Sequence, residues 1–136
     1  MSLVTGIHHI SIRTVDFEHS LAFYTEGLGL DVAIRWGEGD GRAVMLAAGN
    51  DNYIELFAGG TAEPAPEGRL LHLALRTDDV DAALAAAVQA GAVVTIEPKD
   101  VVIPSTPAEA AVRIAFCTGP DDEVIEFMQC RSGTIT

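Results

Sequence analysis

The chain has 136 residues, 49% of them hydrophobic, which suits one domain with a buried core and excludes a disordered or low-complexity protein. Its net charge of −12 repels phosphate backbones and anionic membranes, so we expect neither nucleic acid nor a membrane as partner. Two cysteines without a C-x-x-C pattern exclude a disulfide framework, and the N-terminus lacks the pattern of a signal peptide. We therefore expect a cytoplasmic protein.

The first half of the chain predicts the element order βαβββ. A strand at 4–14 alternates in character, and Asp16 can cap the helix that follows at 17–26. Gly27 and Gly29 end that helix. Three further strands, joined by glycine-containing turns, are predicted at 31–36, 43–47 and 52–57.

The second half predicts the same order after a Gly-, Pro- and Glu-rich linker at 59–69. The predicted elements are a strand at 70–77, a helix at 80–90 capped by Asp78 or Asp79, and strands at 93–97, 112–118 and 123–128. A loop at 99–109, with two prolines, is a candidate cover for a site, and the last six residues are expected to be a tail. The modules are therefore 4–58 and 70–129.

The two halves also repeat their polar residues. The segment His9-Ile-Ser-Ile-Arg-Thr-Val-Asp16 recurs as His72-Leu-Ala-Leu-Arg-Thr-Asp-Asp79, and Tyr53-Ile-Glu-Leu-Phe57 recurs as Val124-Ile-Glu-Phe-Met128. Repeats of this kind are typical of duplicated modules. Each half therefore supplies one His and one Glu at equivalent places, namely His9, Glu55, His72 and Glu126.

Strand alternation predicts where these side chains point. His9 shares a face with Ser11 and Arg13, while His8 falls with the aliphatic residues on the opposite, helix-facing side, so we exclude His8 from the site. The His and Glu side chains are then expected on the open, concave face of each sheet. Arg13 on this face could bind a substrate carboxylate or pair with a local acid. Arg76 is its equivalent, and Trp36 could line a pocket or pack in the core.

Two imidazoles and two carboxylates suit a first-row divalent ion such as Ni, Zn, Co, Mn or Fe. Carboxylates buried close together without compensation would be costly, and a cation removes that cost. An octahedral ion would keep open positions for water or substrate oxygens, as in catalytic centres. The alternative is a cluster of ion pairs in which Arg13 and Arg76 neutralise the glutamates.

The pattern resembles the vicinal oxygen chelate superfamily. The residues that carry the resemblance are Ile7-His-His9, Phe23-Tyr24 followed by Gly27-Leu-Gly29, Ile54-Glu-Leu56, Leu71-His-Leu-Ala-Leu75 and Gly119-Pro-Asp-Asp-Glu-Val-Ile-Glu126. The resemblance covers 5–129. It implies an α+β fold in which two βαβββ modules form a curved eight-stranded mixed sheet around a metal, and it implies a homodimer.

Within that superfamily, four filled ligand positions are similar to glyoxalase I (lactoylglutathione lyase). The resemblance implies that His9, Glu55, His72 and Glu126 bind the metal. It also implies an enediolate mechanism in which a ligand glutamate moves a proton. We assign that role to Glu126, with Glu55 as the second catalytic carboxylate, and Arg13 matches an arginine that binds the substrate. We therefore predict a metal-dependent lyase or isomerase acting on a small molecule.

Two other functions remain open. Gly49-Asn50, the strand around Glu55 and Arg113-Ile-Ala-Phe116 also resemble methylmalonyl-CoA epimerase, which transfers a proton next to a thioester. The non-enzymatic hypothesis is a drug-sequestering module like the bleomycin-resistance proteins. Those proteins lack the four ligands, so the ligand set argues against this hypothesis. Extradiol dioxygenases and fosfomycin-modifying enzymes use three ligands, which would leave Glu55 surplus.

Overall fold

The computed structural model describes residues 7–63, 70 and 72–136, and the chain divides into two compact units, Met1–Pro64 and Ala65–Thr136. The predicted modules begin at residues 4 and 70, and residues 1–6, 64–69 and 71 lie outside the described part. That the two units make one domain stays a prediction. In the described part of the chain, no helix is long and apolar enough to cross a bilayer.

The first unit is one four-stranded mixed sheet with a helix. Strand order in the sheet is β1-β4-β3-β2, with β1 parallel to β4 and the other pairs antiparallel. A single π-helical turn, Phe23–Gly27, continues the helix, and a 3-10 turn, Gly39–Gly41, links β2 to β3. The elements are β1 (His9–Arg13), α1 (Phe17–Ala22), β2 (Asp31–Trp36), β3 (Ala43–Ala47) and β4 (Tyr53–Phe57).

The second unit repeats the arrangement, with strand order β5-β8-β7-β6 and a parallel β5–β8 pair. Its elements are β5 (Leu73–Arg76), α2 (Val80–Gln89), β6 (Val93–Ile103), β7 (Ala110–Thr118) and β8 (Val124–Ser132). The predicted pair of βαβββ modules is confirmed. The eight strands that were expected in one curved sheet are hydrogen-bonded as two sheets of four.

Both helices begin where a carboxylate can accept from their free backbone amides. The side chain of Asp16 accepts from the backbone N–H of His19 at 3.1 Å, and that of Asp79 accepts from Ala82 at 3.0 Å. An N-cap oxygen satisfies one of the amides that the first turn leaves without an intrahelical partner. The predicted caps are confirmed, and of the two candidates in the second module Asp79 is the cap.

The core of each unit lies between its helix and the aliphatic face of its sheet. In the first unit, Ile54 and Leu56 of β4 are buried, and in the second, Ile125 and Phe127 of β8 are buried. The helices add Phe17 and Leu21 in one unit and Val80, Leu84 and Ala87 in the other. Burying these faces leaves the intervening residues, including both glutamates, on the opposite side of the strands.

Several strand boundaries in the second unit differ from the prediction: β5 begins at Leu73 rather than 70, β7 begins at Ala110 rather than 112, and β6 and β8 end later than predicted. Strand β6 continues to Ile103, into the expected loop at 99–109, because the β-branched segment 101–103 pairs with 110–112 of β7. Pro98 lies within β6 where the strand register shifts, and a bulge tolerates a residue without an N–H. Strand β8 likewise continues to Ser132, so the tail is shorter than the predicted six residues.

Candidate functional site

The first His–Glu pair is formed by two neighbouring parallel strands. Ser11 of β1 lies opposite Glu55 of β4, and His9 opposite Tyr53. The His9 Nε2 atom lies 3.5 Å from Glu55 Oε1. Glu55 is only 8% exposed, whereas the His9 side chain is 37% exposed. Both residues lie on the strand face that alternation predicted, and the pair combines a buried carboxylate with an accessible imidazole.

A hydroxyl from the same strand supports this carboxylate. Ser11 Oγ donates a hydrogen bond to Glu55 Oε1 at 2.6 Å. Hydrogen bonds from a hydroxyl to a carboxylate oxygen are short and strong at this distance. Glu55 Oε1 therefore accepts a hydrogen bond from Ser11 and also lies near the imidazole of His9. The sequence placed Ser11 on the correct face but did not show that its hydroxyl binds the glutamate.

His8 lies beside the first pair, contrary to the prediction that excluded it. Its Nδ1 atom is 2.9 Å from His9 Nδ1, and its ring centroid is 5.1 Å from that of Tyr53. Strand β1 begins at His9, so the alternation used to exclude His8 does not extend to it. With Nδ1 of His9 engaged by His8, Nε2 is the ring nitrogen that faces Glu55, and neighbours of this kind orient metal-binding imidazoles.

The second pair occupies the equivalent place in the second unit. His72 Nε2 lies 3.8 Å from Glu126 Oε1, and Glu126 is 6% exposed. Its strand partner opposite is Ala74, which has no hydroxyl. The His72 ring packs edge-on against Phe116, with ring centroids 5.5 Å apart. Burial raises the pKa of the Glu126 carboxyl, and the neighbouring His72 partly offsets the increase.

The arginines do not neutralise these glutamates, so the alternative of an ion-pair cluster is wrong within the described residues. Arg13 donates from Nη1 to the carbonyl of Ala58 at 2.9 Å, and its guanidinium carbon lies over the Phe57 ring, 5.1 Å from the centroid. Arg76 donates to the carbonyl of Thr136 at 3.1 Å. Each guanidinium is thus held by a backbone carbonyl, and the substrate-binding role of Arg13 stays a prediction.

Trp36 lies on the same face of the first sheet as Glu55. It is 39% exposed and packs edge-on against Phe57, with ring centroids 6.1 Å apart. Trp36 is therefore not part of the buried core, and its role in lining a pocket stays a prediction. It is the single tryptophan of the chain. The intrinsic fluorescence of Trp36 can therefore report on changes at this face of the sheet.

The donor set of each pair fits a divalent metal ion. Two donors at about 2.1 Å from one ion lie roughly 3.0 to 3.4 Å apart in octahedral or tetrahedral geometry, close to the observed 3.5 and 3.8 Å. Both carboxylates are buried, which a cation would compensate. Within either described unit no third His, Cys, Asp or Glu completes a metal site, so each unit offers two ligands. The four-ligand set stays a prediction.

The chain matches the model of one protein superfamily and is similar in sequence to a bacterial protein. The model of the Glyoxalase/Bleomycin resistance protein/Dioxygenase superfamily matches residues 6–127. The protein YwbC of Bacillus subtilis is 33% identical over 128 residues, which cover 90% of this chain and 96% of YwbC. The match to the superfamily model spans both His–Glu pairs.

Solved structures agree with this assignment. TnmS3, an antibiotic binding protein from Streptomyces sp. CB03234, is 30% identical with a TM-score of 0.70, and the match covers 96% of this chain and all of TnmS3. The trypanothione-dependent glyoxalase I of Leishmania major superposes with a TM-score of 0.68 at 24% identity, covering 93% of this chain and 87% of that one. The second likeness supports the fold alone.

Proposed function

Because the chain belongs to the Glyoxalase/Bleomycin resistance protein/Dioxygenase superfamily, we propose that it is a metal-dependent lyase or isomerase of the glyoxalase type. The observation that supports the proposal is the repeated pair, in which a buried glutamate lies beside an accessible histidine in each module. Its substrate is a small molecule with oxygens on adjacent carbons. We propose that His9, Glu55, His72 and Glu126 together bind one divalent ion.

The chemistry divides between the ion and the protein. A bound divalent ion supplies Lewis acidity, which stabilises negative charge developing on substrate oxygens. In the metal-free protein, burial raises the pKa of the Glu126 carboxyl. Glu126 takes the proton from the carbon beside a carbonyl and returns it to the adjacent carbon, so no net oxidation occurs. Glu55, held by Ser11, stays in place as the second carboxylate.

Metal reconstitution tests the proposal. Purified protein is stripped with a chelator, reloaded with nickel, cobalt, zinc or manganese, and assayed with methylglyoxal plus glutathione and with methylmalonyl-CoA. We expect about one ion per pair of modules and turnover that depends on that ion. Glu126→Gln keeps a ligating oxygen but loses the carboxylate charge, so it should bind the ion more weakly. With the ion bound it should lower kcat at least 100-fold, because the amide cannot accept the proton.

Matched variants locate the ligands. His9→Ala and His72→Ala should each weaken binding of the ion, whereas His19→Ala, an exposed histidine on α1, should leave it unchanged. Full metal content and full activity in His72→Ala would contradict the assignment. Metal binding without turnover on either substrate would keep the site and direct the search to another compound with adjacent oxygens.

The second candidate is a small-molecule binding protein without catalysis. The likeness to TnmS3 favours it, since that antibiotic binding protein is 30% identical and matched over its whole length. The two functions differ in their need for the ion. A binding protein of this kind would change the fluorescence of Trp36 when it takes up an organic ligand, and would do so equally well after chelation.

A further inference from the structure

The two His–Glu pairs are equivalent by sequence position but differ in their support. Ser11 donates to Glu55 at 2.6 Å, whereas the residue opposite Glu126 in the same register is Ala74. The His–Glu distances also differ. His9 Nε2 lies 3.5 Å from Glu55 Oε1, and His72 Nε2 lies 3.8 Å from Glu126 Oε1. Among the described residues, no hydroxyl group donates to Glu126. The two modules therefore differ in one small residue beside the glutamate, Ser11 in the first and Ala74 in the second.

We propose that Ser11 is a positioning residue, which fixes the carboxylate of Glu55 toward His9 and makes the first module the preorganised half of the site. The expected effect of Ser11 on metal binding rests on the proposed function. The Ser11 hydroxyl occupies one lone pair of Glu55 Oε1, so rotation of the carboxylate away from His9 would break a short hydrogen bond in a buried place. Glu126 lacks that hydrogen bond, because the residue opposite it is Ala74.

His8 restrains the other member of the first pair. Its Nδ1 atom contacts Nδ1 of His9 at 2.9 Å, which turns Nε2 of His9 toward Glu55. In the second pair, the His72 ring instead packs against Phe116, a contact that fixes the ring plane without a hydrogen bond. Both members of the first pair thus have polar neighbours that set their orientation, and outer partners of this kind strengthen metal binding.

Three variants of the full chain test the role of Ser11. Ser11→Ala removes the hydroxyl and makes the first module like the second. Ser11→Thr keeps a hydroxyl and suits a strand. Ala74→Ser places a hydroxyl opposite Glu126 and is the reciprocal change. The readouts are cobalt affinity, the visible absorption spectrum of the cobalt form, and the ¹³C resonance of the Glu55 side-chain carboxyl in the metal-free protein, assigned with Glu55→Gln.

We expect Ser11→Ala to weaken cobalt binding roughly 10- to 100-fold and to change the cobalt spectrum. Ser11→Thr should stay within about threefold of the parent by the same reasoning. In the metal-free protein, Ser11→Ala should shift the carboxyl resonance of Glu55 and leave that of Glu126 unchanged. Ala74→Ser should shift the carboxyl resonance of Glu126 and leave that of Glu55 unchanged.

The carboxyl resonance separates this inference from the proposed function. If the parent protein binds no cobalt but Ser11→Ala still shifts the Glu55 resonance, the proposed function fails and the positioning role stands. If Ser11→Ala is folded and its Glu55 resonance is unchanged, the positioning role is wrong. Unchanged cobalt affinity and spectrum in Ser11→Ala, with cobalt bound tightly by the parent, would also overturn it.

Discussion

At the scale of single residues, burial decides which groups can do chemistry. Glu55 and Glu126 are buried charged groups on the open face of their strands, and a buried carboxylate is retained only with compensation. His9 and His72 lie close enough to give part of that compensation. Their accessible rings and the carboxylates behind them favour a bound cation over a purely structural role.

Burial also separates the two cysteines. Cys117 is fully buried in β7, and burial, with the negative charge of Glu123, raises the pKa of its thiol to about 11. Only the thiolate reacts readily with disulfide reagents. We expect a thiol reagent at pH 8 to label Cys130, which is partly exposed, and to leave Cys117 unmodified until the protein unfolds. Mass spectrometry of the labelled peptides measures this.

Two comparisons control the labelling experiment. Cys130→Ser should abolish fast labelling of the native protein, and Cys117→Ser should leave the fast rate unchanged. Labelling in denaturant should reach two thiols per chain in the parent protein. Rapid modification of Cys117 in the folded protein would show that β7 is accessible.

At the scale of elements, local rules explain most of the strands and both helices. Alternating residues predicted the strands at 31–36 and 43–47 with the boundaries that the structure has. Asp16, and Asp78 or Asp79, were predicted as caps because aspartate precedes an apolar period in each module, and the structure selects Asp79. Strands β6 and β8 are longer than predicted, because pairing with β7 extends them beyond the point at which the local pattern ends. Strand β5 is shorter than predicted and begins at Leu73.

The cap of α2 gives a quantitative test at this scale. Asp79→Ala should lower the free energy of unfolding by about 1 kcal/mol, because the N–H of Ala82 loses its acceptor. Asp78→Ala removes an exposed carboxylate next to the cap and should change stability by less than ~0.5 kcal/mol. Urea unfolding followed by circular dichroism measures both. Equal effects of the two variants would mean that charge near the helix start, not the hydrogen bond, stabilises α2.

At the scale of the whole molecule, our proposal that one ion binds ligands from both modules predicts a change in stability. An ion that binds only the folded protein stabilises it by ~2.7 kcal/mol at a free concentration of 100 times its Kd. For a chain of this size that is roughly 10 °C in Tm. We expect nickel to raise Tm by this order in the parent protein, measured by differential scanning fluorimetry.

The same measurement tests whether the modules share the ion. His9→Ala and His72→Ala should each lose most of the nickel-dependent increase in Tm, because each removes one ligand of a common site. If His9→Ala lost the increase and His72→Ala retained it fully, the ion would belong to the first module alone. His19→Ala should behave like the parent protein.

The sequence by itself determined the βαβββ order, the cap Asp16 and the faces on which His9, Glu55 and Glu126 lie, because alternation and capping act over a few neighbouring residues. Only the tertiary structure decided the contacts that distinguish the modules. Whether the hydroxyl of Ser11 reaches Glu55 depends on the register of β1 against β4, and His8 lies just before the strand in which alternation applies. The length of β6 likewise depends on its partner, since Pro98 fits only where the register shifts.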